Sequence, residues 1–172
     1  MKYSILIFIT FFTVNTAFSQ LINKAENNEL KFFQVGNLPV NWKLEYSAEN
    51  QQQIVCEYTS NGESIQKWSQ LITEQFHKKV RKEILLKYVS SIKEQLEKSS
   101  KGLTWKIISK SEGSIIYEWS HQGSGTFPPT YEITKLITHN GGLYRLAYDK
   151  YTKAPDVDTK YWKDIILKSK LK

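Results

Sequence analysis

The chain has 172 residues, a formal net charge of +7 and a single cysteine, with 40% hydrophobic and 24% charged residues. That length fits one domain able to bury roughly 70% of its unfolded surface. Cys56 stands alone, which excludes an internal disulfide framework.

The N-terminus reads as an export signal. Lys2 supplies one positive charge, an apolar run from Ile5 to Val14 is broken only by Thr10 and Thr13, and the small residues Ala17 and Ser19 sit at positions −3 and −1 of a cut. The run is about half the length a helix needs to span a bilayer, and no later segment offers a second spanning run. The expectation is a signal peptide over 1–19, a single globular domain over 20–172, and a secreted or periplasmic product.

Residues 30–35 form a strand candidate closed by the turn-prone Gly36-Asn37-Leu38-Pro39. Trp42, Leu44 and Tyr46 alternate with polar residues. After a turn over 48–51, Ile54, Cys56 and Tyr58 alternate again, which predicts a hairpin. Asn61-Gly62 makes the next turn, and 68–76 reads as a strand with Trp68, Ile72 and Phe76 on one side and Leu71 on the other. A helix follows over about 80–99, because Ile84, Leu85, Tyr88, Val89, Ile92 and Leu96 recur at spacings of three and four. Gly102 is placed to stop it, and Glu94 and Lys98 form a favourable i,i+4 pair.

The second block repeats the pattern. Leu103, Trp105 and Ile107 alternate, Ser111-Glu112-Gly113 turns, and Ile115, Tyr117 and Trp119 alternate back. A breaker-rich loop over 121–130 leads to Tyr131, Ile133 and Ile137, then to the hairpin signal Asn140-Gly141-Gly142 and a returning strand over 143–148. Asp158 is read as the N-cap of a short terminal helix carrying Tyr161, Trp162, Ile165 and Ile166. The expected fold is α+β, an antiparallel sheet of about seven to eight short strands with the long helix and the C-terminal helix packed on it.

In this element order the chain resembles the PsbP-like fold family, whose members include exported bacterial proteins. It also resembles small exported bacterial proteins that carry a Trp-x-x-Leu-Ile-Thr strand (Trp68, Leu71, Ile72, Thr73), a Tyr-Glu-Trp strand (Tyr117, Glu118, Trp119) and an Arg-Leu-Ala-Tyr strand (145–148). The resemblance implies a shared sheet and roles in docking and scaffolding more than in catalysis.

The chemistry-bearing residues are scattered. His77, His121 and His139 occur singly, without the pair spacing of a metal site, and no phosphate-binding glycine loop is present. Gly123-Ser124-Gly125 lacks the spacing of a nucleophile elbow. Cys56, alternating with Ile54 and Tyr58, reads as a buried strand thiol, and Glu118 is read as facing outward. No metal and no cofactor are therefore expected.

Positive charge concentrates in Lys78, Lys79, Arg81 and Lys82 and in the tail lysines 168, 170 and 172. In an exported protein this fits an anionic membrane surface or an acidic envelope protein. No nucleic-acid motif accompanies it. The 121–130 loop offers His121, Phe127 and Tyr131 as candidate ligand or partner contacts. The expected function is an exported binding or docking module without catalytic activity. The alternative is an exported hydrolase assembled around one lone histidine.

Overall fold

Alternation of apolar and polar residues builds a seven-strand antiparallel sheet, and two amphipathic helices close its faces. A computed structural model describes residues 19–20, 29–35, 41–60, 62–123, 128–152 and 155–172. Residues 1–18, which carry the export-signal pattern, the Gly36–Pro39 turn, Asn61, Phe127 and Ala154 lie outside the described residues.

In chain order the elements are β1 (Ser19–Gln20), β2 (Phe33–Gln34), β3 (Lys43–Glu49), β4 (Gln53–Thr59), β5 (Gln70–His77), α1 (Leu85–Ser99), β6 (Thr104–Lys110), β7 (Ser114–His121), β8 (Thr130–His139), β9 (Gly142–Tyr151), α2 (Val157–Lys168) and β10 (Lys170–Leu171). Strand order across the sheet is β3-β4-β5-β9-β8-β7-β6, with the two-residue β1 beside β3. The chain thus crosses through α1 from the middle of the sheet to its far edge. Hairpins then bring it back until β9 pairs with β5, from Gln70 opposite Lys150 to His77 opposite Leu143. The strand expected at 30–35 shortens to β2 and pairs with β10 rather than joining the main sheet.

The β8–β9 hairpin is fixed by Asn140 and Gly141, both at positive φ (47° and 71°), with His139 opposite Gly142. Two left-handed residues match the twist of the strands they join. Gly142 itself sits where a Cβ would overlap the Phe76 ring, so the close approach of β5 and β9 requires glycine there.

Each face of the sheet carries its own apolar cluster. On one, Trp162 and Ile166 of α2 pack with Leu30, Phe33 and Trp42 against Cys56, Tyr58, Ile72, Ile116, Ile133 and Tyr148. On the other, Leu85, Val89, Ile92 and Leu96 of α1 pack against Ile115, Tyr117, Trp119, Leu136 and Leu143. Successive strand residues point to opposite faces, so runs such as Ile115-Ile116-Tyr117 serve both clusters.

Four local expectations are corrected. A bulge between Leu44 and Tyr46 pairs Leu44 with Tyr58 but Tyr46 with Glu57, which sends Tyr46 to the face opposite Leu44. The long helix proper begins at Leu85 after a 3-10 turn over Lys82–Ile84, and Ile84 falls outside its buried stripe. The helix carries an ion pair between Lys93 and Glu97 (2.5 Å), one residue before the expected Glu94–Lys98 pair. The N-cap of α2 is Asp156, not Asp158: its carboxylate accepts from the Thr159 amide (3.0 Å), and Thr159 Oγ1 accepts from the Asp156 amide (2.6 Å). This reciprocal pair satisfies two orphan donors at once. Asp158 instead joins Asp156 in binding Lys150 Nζ, each at 2.6 Å.

Candidate functional site

Buried charge is found on both faces of the sheet, and its fate differs between them. On the α2 face, Glu74 is fully buried on β5. Its Oε1 accepts from the amides of Phe32 and Phe33, both at 2.9 Å, and its Oε2 from the Lys31 amide (2.6 Å) and the Tyr58 hydroxyl (2.8 Å). Burial raises the Glu74 carboxyl pKa, and these hydrogen bonds oppose it. Lys135, in the same cross-sheet row with Leu146 between them, donates from Nζ to the carbonyls of Ile166 (3.4 Å), Leu167 (3.3 Å) and Ser169. Its ammonium closes the C-terminus of α2, where unpaired carbonyls concentrate negative charge. Glu74 and Lys135 thereby fasten the two segments whose ends pair as β2 and β10.

The α1 face carries a second set of buried polar groups. Register places Glu57, Thr73, Ala147, Thr134 and Tyr117 in one row across β4, β5, β9, β8 and β7. Leu71, Asp149, Glu132 and Trp119 form the next row, while Gln75, Arg145 and Leu136 lie on the other side. Arg145 reaches diagonally across the small side chains of the middle row, and its Nη2 stands 3.1 Å from Glu132 Oε1. Thr134 Oγ1 donates to the same carboxylate oxygen. Asp149 is the direct cross-strand partner of Glu132. Burial raises the Asp149 pKa strongly and the neighbouring Glu132 charge adds to it, against the pull of Arg145. Burial likewise pushes Glu57 up to about 7, against the pull of Arg145. Burial also disfavours charge on Arg145, but the surrounding groups, led by Glu132, hold it firmly positive.

Several atoms on this face have no hydrogen-bond partner among the described residues: Glu57 Oε2, His77 Nε2, the Tyr117 hydroxyl and Trp119 Nε1. Tyr117 is fully buried, Trp119 is 3% exposed and Glu57 9%. The Tyr117 hydroxyl lies beside Thr134 without a bond of good geometry to it. Each such buried group costs about 1–3 kcal/mol when left unmade. Together they weigh heavily against a total stability of about 5–15 kcal/mol. Burial and the Arg145 charge hold the His77 imidazole down to about 4, with the Tyr88 ring of α1 edge-on to it at 5.9 Å.

The residues singled out in the sequence are dispersed. His121 is buried at the end of β7, stacked on Trp119 (5.8 Å), with its Nδ1 accepting from the Gly123 amide (2.9 Å); burial lowers its pKa. Tyr131 shares a face with Ser120 and therefore lies on the α2 side, opposite His121. Its hydroxyl donates to Glu118 Oε2 (2.9 Å), which also accepts from Lys163 of α2 (2.8 Å). Glu118 thus braces α2, a correction to its outward reading. Phe127 lies outside the described residues. In the basic stretch Lys78 is engaged with Glu49 (2.7 Å) and the Asn50 carbonyl (3.0 Å), Lys79 sits exposed at φ 59°, Arg81 is exposed, and Lys82 opens the 3-10 turn. Cys56 is buried as expected, 3.6 Å from Ser47 Oγ, and burial raises its thiol pKa.

Sequence reading missed Glu57, Glu132, Arg145 and Asp149 because each occupies the polar half of an alternating strand, the half ordinarily given to water. One signal was present. Both faces of β7 carry large apolar residues, so neither side of that sheet region is solvated.

Among the described residues no helix is long and apolar enough to cross a membrane, and no group of three or more His, Cys, Asp or Glu side chains is arranged to hold a metal ion. No family model, curated protein or solved structure matches this chain.

Proposed function

We propose that the protein is an exported, non-catalytic binding module of the PsbP-like kind, and that its ligand seat is the polar cluster between the sheet and α1. The observation that carries this reading is the set of buried atoms on that face that have no hydrogen-bond partner among the described residues: Glu57 Oε2, His77 Nε2, Tyr117 OH and Trp119 Nε1. Natural proteins pair the great majority of their buried polar atoms, and a cluster of exceptions on one face marks a place where something else completes the bonds.

A hydrolase built on a histidine fits less well. His77 and His121 both reach the cluster. The His77 imidazole, held near 4, is a poor proton acceptor at neutral pH, and His121, stacked on Trp119, already accepts from the Gly123 amide at Nδ1. The one thiol, Cys56, belongs to the opposite face. The basic stretch at 78–82 keeps its proposed role as a contact for an anionic membrane surface or an acidic envelope protein, alongside the ligand seat rather than within it.

Native mass spectrometry of the full chain, isolated without denaturation from its own envelope, tests the reading. A bound mass that is released on unfolding, and is missing from an Arg145→Met variant that still melts cooperatively, is the expected result. Bare protein in every preparation would remove the cluster as a ligand seat.

A further inference from the structure

The α1 face buries three carboxyl groups, Glu57, Glu132 and Asp149, with a single guanidinium, Arg145, among them. Arg145 is engaged with Glu132, and Asp149 stands directly across from that residue with its carboxyl pKa raised by burial. Glu57 is left over: Arg145 acts on it through space, but its Oε2 has no hydrogen-bond partner among the described residues. A buried carboxylate oxygen without a partner is costly, and the cost falls when a cation arrives.

We infer, on the basis of the binding role proposed above, that the cluster takes a small organic cation, with its ammonium or guanidinium group seated against Glu57. An anionic ligand would meet a site in which carboxyls outnumber the guanidinium. A neutral one would leave Glu57 without its counter-charge. A metal ion is disfavoured by geometry, since the carboxyls are spread along two rows rather than gathered around one point. The orphaned atoms run from Glu57 on β4 to Tyr117 on β7, strands set four spacings of about 4.8 Å apart. A monatomic ion cannot reach both ends, whereas a molecule with a cationic head and a polar far end can use the Tyr117 hydroxyl and the Trp119 N–H as well.

Cation binding should also move a proton. Glu57, faced by Tyr46 from β3, Arg145 from β9 and, in the next row, Asp149, is partly protonated near neutral pH. A cation beside it favours the ionised form, so binding releases a proton to solvent.

The test uses the full chain and three probes of one shape: butylammonium chloride, 1-butanol and sodium butyrate, at matched ionic strength and neutral pH. Butylammonium should raise Tm, while the other two should not. Titration calorimetry in two buffers of different ionisation enthalpy should report proton release on adding the amine. Glu57→Gln should weaken amine binding by about tenfold or more, the size of a lost charge-assisted hydrogen bond. Glu83→Gln, at an exposed carboxylate before α1, should bind the amine as the wild type does. An equal shift from butyrate or butanol, or an amine shift unchanged in Glu57→Gln, overturns the cation inference and leaves the binding role standing. Silence from all three probes overturns it too, and the mass measurement decides the binding role separately.

Discussion

The two faces of one sheet treat buried charge in opposite ways. Under α2, the Glu74 carboxylate and the Lys135 ammonium each meet backbone groups that would otherwise be orphaned, and between them they hold the N-terminal segment and the end of α2 in place. Under α1, Arg145 and Glu132 pair, yet Glu57, His77, Tyr117 and Trp119 keep atoms that have no partner among the described residues. Burial alone does not separate the two clusters, because both sets are deep. The difference lies in satisfaction. A saturated network spends its polar groups on the fold, whereas an unsaturated one keeps them in reserve for a ligand. One face is a clasp and the other a seat.

The largest effect should come from the clasp. Glu74→Ala strips partners from three backbone amides and the Tyr58 hydroxyl, and chemical denaturation should show a loss of about 3–5 kcal/mol. A loss under about 1 kcal/mol would dissolve the contrast between the faces.

Next in size is a pH effect specific to the seat. The folded pKa of Glu57 is raised from 4.5 to about 7, so its stabilising contribution is complete below pH 4.5 and is lost as pH rises through about 7. The shift is worth about 3 kcal/mol by proton linkage. His77 acts with the other sign: lowered from 6.5 to about 4, it contributes above pH 6.5 and loses that contribution as pH falls through about 4. The two windows overlap between pH 4.5 and 6.5, where the opposite slopes cancel, so unfolding free energy should be level there and fall away on the acid and alkaline sides. Glu57→Gln should abolish the alkaline fall and turn the level stretch into a rise with pH up to about 6.5, left by His77, and an unchanged profile would contradict the assignment.

The smallest effect concerns neither face directly. Asp156→Ala removes the reciprocal cap of α2 and should lower stability by about 1 kcal/mol. That measurement sharpens the comparison by giving the worth of an ordinary local device on the clasp side.

The sheet was legible because its apolar residues alternate strictly where it matters. Ile115, Tyr117 and Trp119 predicted β7, Asn140-Gly141 predicted the β8–β9 hairpin, and the three-four spacing from Ile84 to Leu96 predicted α1. The bulge after Leu44 was not legible, since one inserted residue leaves composition unchanged while reversing every later side chain. The α2 cap was misread by two residues because Asp156 and Asp158 are chemically equivalent in sequence, and only Lys150 and Thr159 tell them apart in space. The seat was hidden for a tertiary reason. Arg145, Asp149 and Glu132 look like a solvated strand face until α1 is laid over them, and the spacing of Arg145 and Asp149 around Ala147 shows its meaning only once β8 supplies Glu132.

The most direct test of an unsaturated seat is the unfolding free energy of ligand-free Tyr117→Phe. The substitution removes a fully buried hydroxyl that bonds to nothing among the described residues and keeps the ring that stacks on Trp105 at 4.6 Å. If the hydroxyl is held in reserve for a ligand, the variant should be as stable as the wild type or more stable by about 1 kcal/mol. A loss of about 1 kcal/mol or more would mean that the hydroxyl already serves the fold, and that the α1 face is a second clasp rather than a seat.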